Sequence, residues 1–173
     1  ATFIHPYNNY YIIAGQATAA KELLEDISDL DIVMAPVGGG GLLSGTALSV
    51  RYSDSSAEVY GAEPKLVDDA YRSLKSGKIE SNDRIDTIAD GLRTMLGEKT
   101  FDIIQKHVHE ILTVEEEYII QAMRLIWERM KIIAEPSGAV PLAAVLQYPD
   151  VFKGKKIGLI ISGGNVDLQA LPF

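Results

Sequence analysis

The sequence contains no cysteine. That excludes a disulfide framework, a thiolate metal site and a cysteine nucleophile, and it fits a reducing cytoplasm, the location expected here. Cations are scarce too: 16 Lys and Arg stand against 24 Asp and Glu, for a net charge of −8. Nucleic-acid backbones are held by clustered Lys and Arg, so no nucleic-acid partner is expected. The one basic cluster, Lys153, Lys155 and Lys156, reads as a solvated turn. Long apolar runs are missing as well. None approaches the roughly 18 residues that would span a bilayer, so no membrane partner is expected. The opening ATFIHPYNNYY lacks both the charged and the apolar region of a signal peptide, and it lacks an initiator methionine. The chain therefore reads as a piece of something longer.

What is present suits one domain. At 173 residues and 47% hydrophobic content, the chain can bury a single sizeable core. Apolar runs alternate with stretches of helical period. DIVMAPV at 31–37, AEVYGAE at 57–63, HEILTV at 109–114 and KKIGLIIS at 155–162 read as strands. Residues 14–29, 42–52, VDDAYRSLKSGK, FDIIQKHV and 114–133 read as helices, as does EPSGAVPLAAVLQY, with Pro136 in its first turn. Thr113, followed by Glu115, Glu116 and Glu117, reads as the start of the helix over 114–133. Its buried face is expected at Ile119, Met123, Ile126, Trp127 and Met130. This alternation predicts a three-layer α/β fold with a mostly parallel sheet.

Parallel sheets bind ligands at the carboxyl ends of their strands, and that is where the glycines lie. GGGG at 38–41 follows DIVMAPV, and SGGN at 162–165 follows KKIGLII. Four residues without side chains are costly to order, but they let an anion meet backbone N–H groups and the positive end of a helix dipole. A phosphate is the expected guest. It is not that of an ATP loop, because Leu42 and Leu43 stand where the Walker pattern needs Lys and Ser or Thr. A dinucleotide site of the NAD type remains the alternative. Glu63 ends the next strand at the distance of a ribose-binding carboxylate, although the glycines do not fit G-x-G-x-x-G.

Six ordered motifs, HPYNNYYIIAGQAT, APVGGGGLLSG, GAEPKLVDD, TIADGL, WERMKIIAEPSGA and IISGGNVDL, cover nearly the whole chain. Together they resemble the C-terminal half of the serine racemase and serine/threonine dehydratase family, pyridoxal-phosphate enzymes of the tryptophan-synthase-β-like fold type II. The resemblance implies that the chain is the C-terminal portion of the large cofactor-binding domain, without the N-terminal segment and small domain. It also implies a dehydratase (ammonia-lyase) or racemase acting on serine- or threonine-like substrates, homodimeric when full length. By the same resemblance Gly38, Gly39, Gly40, Gly41 and Leu42 hold the cofactor phosphate. Ser162 bonds the pyridine nitrogen, and Gly91 and Glu135 line the ring. Glu63, Asp69 and the carbonyl of Val67 hold a divalent cation, Mg²⁺ or else Ca²⁺ or Mn²⁺, which suits their hard oxygens. Lys131 and Asn165 are candidates for a nucleotide effector.

The sequence departs from the family's pattern in three places. The family's Schiff-base lysine lies in an S-F-K-x-R motif that is absent here; the nearest imitation, Ser73-Leu74-Lys75, falls on a predicted surface helix. No catalytic residue is therefore expected within this chain. Tyr7 stands where the family usually has Asn or Phe, and Ala17 replaces the usual Gly of G-Q-G-T. His5, His107 and His109 fit no metal-ligand spacing and are expected to be structural or exposed.

Overall fold

The structure, a computed structural model, describes residues 2–173. Four strands, β1 (Ile32–Pro36), β2 (Glu58–Pro64), β3 (Glu110–Val114) and β4 (Ile157–Leu159), form one sheet in the order β3-β2-β1-β4. Every pairing is parallel, with Ala35 opposite Gly61, Met34 opposite Leu159 and Glu63 opposite Thr113. β1 is buried at all five positions. Both of its faces are covered, which is why Ile32–Pro36 is apolar throughout rather than alternating.

The alternation of side chains along a strand divides the core in two. Ile32 and Met34 of β1 join Tyr60, Ala62 and Val114 in a cluster with Ile119, Met123, Ile126, Val140 and Ala144. Those last residues come from α5 (Glu116–Leu125), the turn that follows it, and α6 (Pro136–Gln147). Val33, Ala35 and Val37 face the other way, against Ala20, Leu24, Leu43, Ala47, Ala70 and Ile104. These belong to α1 (Tyr10–Asp26), α2 (Gly41–Arg51), α3 (Asp69–Ser76) and α4 (Glu98–His107). The architecture is thus the three-layer α/β arrangement that the alternating runs predict.

Several boundaries differ from the sequence reading. α1 starts at Tyr10, four residues early, because the Asn9 side chain caps it by accepting from Tyr11 N at 2.8 Å. Thr113 does not start a helix. It lies in β3, where its carbonyl accepts from the Tyr148 hydroxyl at 2.8 Å, and the helix is entered through Glu115. The helix expected over 114–133 becomes a π turn at Ile126–Met130 and ends at Lys131, whose φ of 59° is left-handed. That wider turn rotates Met130 outward to 54% exposure, so it is not part of the buried face. The last strand is shorter than KKIGLIIS, spanning Ile157–Leu159 alone.

Candidate functional site

Chain order reverses between β1 and β4: the path runs from β1 toward β2 and β3 on one side, then returns to place β4 on the other. The loops leaving these two neighbours diverge, and the crevice opens where they part. Gly38, Gly39, Gly40, Gly41 and Leu42, which leave β1, share one cavity of about 380 Å³ with Ser162, which follows β4. Gly91 lines it too. Tyr7, noted above as a departure from the family's pattern, lies in its wall together with Pro6, Gln16, Pro36, Leu92 and Thr94, which were not assigned a site role from the sequence. Among the described residues no lysine lines this cavity. A larger hollow of about 490 Å³ lies at the amino-terminal end of β2, against Arg51, Glu58, Lys106 and His109. It sits beside the C-termini of α2 and α4, whose dipoles disfavour anions, so it is not the counterpart of the glycine loop.

The glycines are required by space as well as by φ. Gly40 caps α2 with φ 86°, a left-handed conformation that side chains resist. A Cβ on Gly39 would fall 2.3 Å from the Tyr7 ring, so this ring lies directly on the loop. Behind the loop, the Thr100 hydroxyl meets the Gly39 carbonyl at 2.8 Å, and Ser44 Oγ donates to the Thr100 carbonyl at 3.3 Å. Partial burial, and secondarily the Asp69 carboxylate, hold the Tyr7 phenol above its usual range.

Glu135 does not line this cavity. Its carboxylate accepts from Asn165 N at 2.9 Å, and a Cβ on Gly163 would meet it at 2.8 Å, so it clasps the SGGN loop from beneath. The next helix turn adds Ser137 Oγ, which accepts from Gly91 N at 3.1 Å and ties the ADGL segment to the same support. Asn165 is exposed and borders a separate hollow with Asp90, Arg93 and Asp167. Lys131 is exposed too, its Nζ donating to the Glu128 carbonyl at 2.8 Å; it does not border that hollow.

Glu63, near the carboxyl end of β2, and Asp69, at the start of α3, are each fully buried. Both Glu63 oxygens accept backbone N–H groups at the start of α3, from Ala70 at 3.0 Å and Tyr71 at 2.9 Å. A carboxylate so enclosed is not available to a ribose, which removes the support for the dinucleotide alternative. Asp69 accepts from Asn82 and, at 3.3 Å, from Leu96 N. Burial first, and then repulsion from Asp69, push Glu63 well above the usual carboxylate range despite those two N–H bonds. Burial likewise raises Asp69 to about 6, against the opposing pull of its hydrogen bonds and Arg72. Val67, fully buried, ends the short turn that connects them in sequence. Among the described residues no group of three His, Cys, Asp or Glu side chains converges on a metal position, so any cation here draws on backbone oxygen and water as well.

An α/β protein with its ligand crevice at the switch point of a parallel sheet is the class that fold and site define. The family follows from the comparisons: the chain belongs to the family described as pyridoxal-phosphate dependent enzyme, whose model matches residues 1–163. It is 49% identical over 171 residues to a β-hydroxyaspartate dehydratase of Paracoccus denitrificans (strain Pd 1222), covering 99% of this chain and 54% of that protein. The crystal structure of serine racemase from Dictyostelium discoideum superposes with a TM-score of 0.89 at 51% identity, over 95% of this chain and 54% of that one. The crystal structure of a T.th. threonine deaminase gives 0.91 at 45% identity, over 95% and 62%. The fold is that of the fold type II enzymes. The chain spans about half the length of the curated relatives it matches.

Proposed function

We propose that this chain is the phosphate- and ring-binding part of a pyridoxal-phosphate-dependent dehydratase or racemase acting on serine- or threonine-like hydroxy amino acids. The observation that carries this reading is the glycine loop and Ser162 facing one cavity across the β1–β4 switch point, in a chain of this family. The residues present fit the cofactor. Four consecutive glycines offer N–H groups with no Cβ in the way, and they open a helix whose dipole favours a dianion. Pyridoxal phosphate, when bound, supplies a conjugated ring that withdraws electrons from the amino acid's Cα–H bond.

Each residue then has a defined task. The N–H groups of Gly38, Gly39, Gly40, Gly41 and Leu42 hold the phosphate. Ser162, on the cavity wall, would meet the pyridine nitrogen with a neutral hydroxyl, which would leave that nitrogen less charged than a carboxylate partner would. Gly91 leaves the wall beside the ring flat, and Glu135 acts one step back, holding the loop that carries Ser162. The Schiff-base lysine that the resemblance places in an S-F-K-x-R motif is not contained in this sequence. Glu63, Asp69 and the Val67 carbonyl hold a hard divalent cation, Mg²⁺ or else Ca²⁺ or Mn²⁺, which would neutralise two buried carboxylates that repel each other. A homodimer, a cytoplasmic location and a nucleotide effector at Lys131 and Asn165 belong to the same proposal and rest on the resemblance.

The test is turnover by the intact protein. L-serine, L-threonine and L-threo-3-hydroxyaspartate are supplied with pyridoxal phosphate, and 2-oxo acid, ammonia and D-amino acid are measured. Release of a 2-oxo acid with equimolar ammonia, or formation of a D-amino acid, is the expected result; no product from any of the three sinks the reading. The 173-residue chain alone is expected to yield no imine absorption that borohydride reduces.

A further inference from the structure

A hydroxyl buried behind the glycine loop determines which way one of its peptides faces. Thr100 is fully buried in the first turn of α4, on the core side of the loop and outside the cavity lining. Its Oγ1 accepts from Gly97 N at 2.9 Å, the backbone N–H at the helix cap, so one lone pair is taken and one proton remains to donate. Two carbonyls are within reach, Gly39 at 2.8 Å and Gly97 at 3.0 Å. The Gly97 carbonyl already receives the helix bond from Phe101 N at 2.8 Å. Among the described residues no other donor reaches the Gly39 carbonyl, which is buried. The proton therefore belongs on Gly39.

That bond has a geometric consequence. In a trans peptide the C=O and the N–H point in opposite directions, and no peptide among the described residues is cis. Holding the Gly39 carbonyl inward on Thr100 turns the Gly40 N–H outward, toward the cavity. Glycine flanks this peptide on both sides, so little else in the local backbone resists a flip. Thr94, Leu96 and Ile104 touch the loop as well, but at Gly38 and Gly40 and without a bond to this carbonyl.

We infer that Thr100 is a positioning residue that aims the Gly40 N–H at the bound phosphate. The inference rests on the reading of the glycine loop as a phosphate cradle. It assigns a role to a residue 61 positions away in sequence that never touches the ligand.

Thr100→Val keeps shape and removes the donor; Thr100→Ser keeps the donor. The measurements, on the intact protein, are the affinities for pyridoxal phosphate and for phosphate-free pyridoxal, and hydrogen exchange across residues 37–45 without ligand. Thr100→Val is expected to weaken pyridoxal phosphate about tenfold, to change pyridoxal less than threefold, and to speed exchange in the loop. Thr100→Ser is expected to stay within about threefold of the parent in all three. Unchanged affinity and exchange in Thr100→Val overturn the inference, as does equal weakening of both ligands or equal damage by both substitutions. If Thr100→Val does not fold, Thr100→Ala, which also removes the donor, is judged by the same outcomes. A parent protein that fails to bind pyridoxal phosphate refutes the proposed function, and the exchange comparison then decides the role of Thr100 by itself.

Discussion

Gly40 carries the strictest demand of any single residue in the loop. Its φ of 86° already disfavours a side chain, and a Cβ there would meet Leu96, Ile104 and Thr100 at 2.8–2.9 Å. Those neighbours are buried core and cannot move into solvent. Gly40→Ala therefore combines left-handed strain with overpacking, an expected loss of about 2–4 kcal/mol, read as a lowered urea midpoint at constant m-value. Gly39 differs in kind. Its Cβ would strike the Tyr7 ring, a side chain on the cavity wall that can swing aside, so Gly39→Ala is expected to alter ligand binding more than stability. The position of the quadruple glycine, between a strand and a helix and lining the crevice, was legible because it separates a buried apolar run from a stretch of helical period. Thr100 was not legible at all: nothing in GEKT announces a contact with a loop 61 residues earlier, and only the fold brings them together.

The same logic of close approach operates between whole elements where α1 crosses α2. A Cβ on Gly45 would lie 2.6–2.8 Å from the backbone of α1 at Ile13, Gln16 and Ala17, and Ser49 Oγ donates to the Ala17 carbonyl at 2.6 Å. Backbone cannot rotate out of the way as a side chain can. Gly45→Ala is expected to push the helices apart at a cost of about 2–4 kcal/mol, measured by chemical denaturation, whereas Gly15→Ala on α1, with open space around it, should be close to neutral or slightly stabilising. The crossing also accounts for Ala17, a second small residue at the contact in place of the family's Gly. β1 is the easiest element to read, since burial on both faces makes it uniformly apolar. Helix ends are harder. Asn9 caps α1 from within HPYNNY, which looks like loop, and Thr113 is claimed by its pairing with Glu63 across the sheet. A period of 3.6 also cannot foresee a π turn, so it puts Met130 on the wrong side of its helix.

At the scale of the molecule, a chain of net charge −8 buries two carboxylates, Glu63 and Asp69, whose burial outweighs the hydrogen bonds that oppose it. Asp69, raised from 3.8 to about 6, binds a proton in the folded state across a window in which the unfolded chain has released it. The unfolded state then holds fewer protons, so stability falls as pH rises: the contribution is full below 3.8 and is lost through about 6. The shift corresponds to roughly 3 kcal/mol, and Glu63 adds in the same direction. The lowered values at Asp29 and Glu128 act oppositely but belong to exposed ion pairs, which contribute little, and that at Glu80 comes first from a hydrogen bond with Ser76. Unfolding free energy of the metal-free protein is therefore expected to drop between about pH 4 and 6, and Asp69→Asn, which keeps an oxygen acceptor without the charge, should flatten that slope. A cation that binds only the ionised pair reverses the trend by mass action. Mg²⁺ should raise the melting temperature at about pH 7.5, have little effect at about pH 4.5, and do nothing for Asp69→Asn. A metal-free protein whose stability rises over this range would contradict the burial of these carboxylates, and a Mg²⁺ response that survives in Asp69→Asn would move the cation away from Asp69.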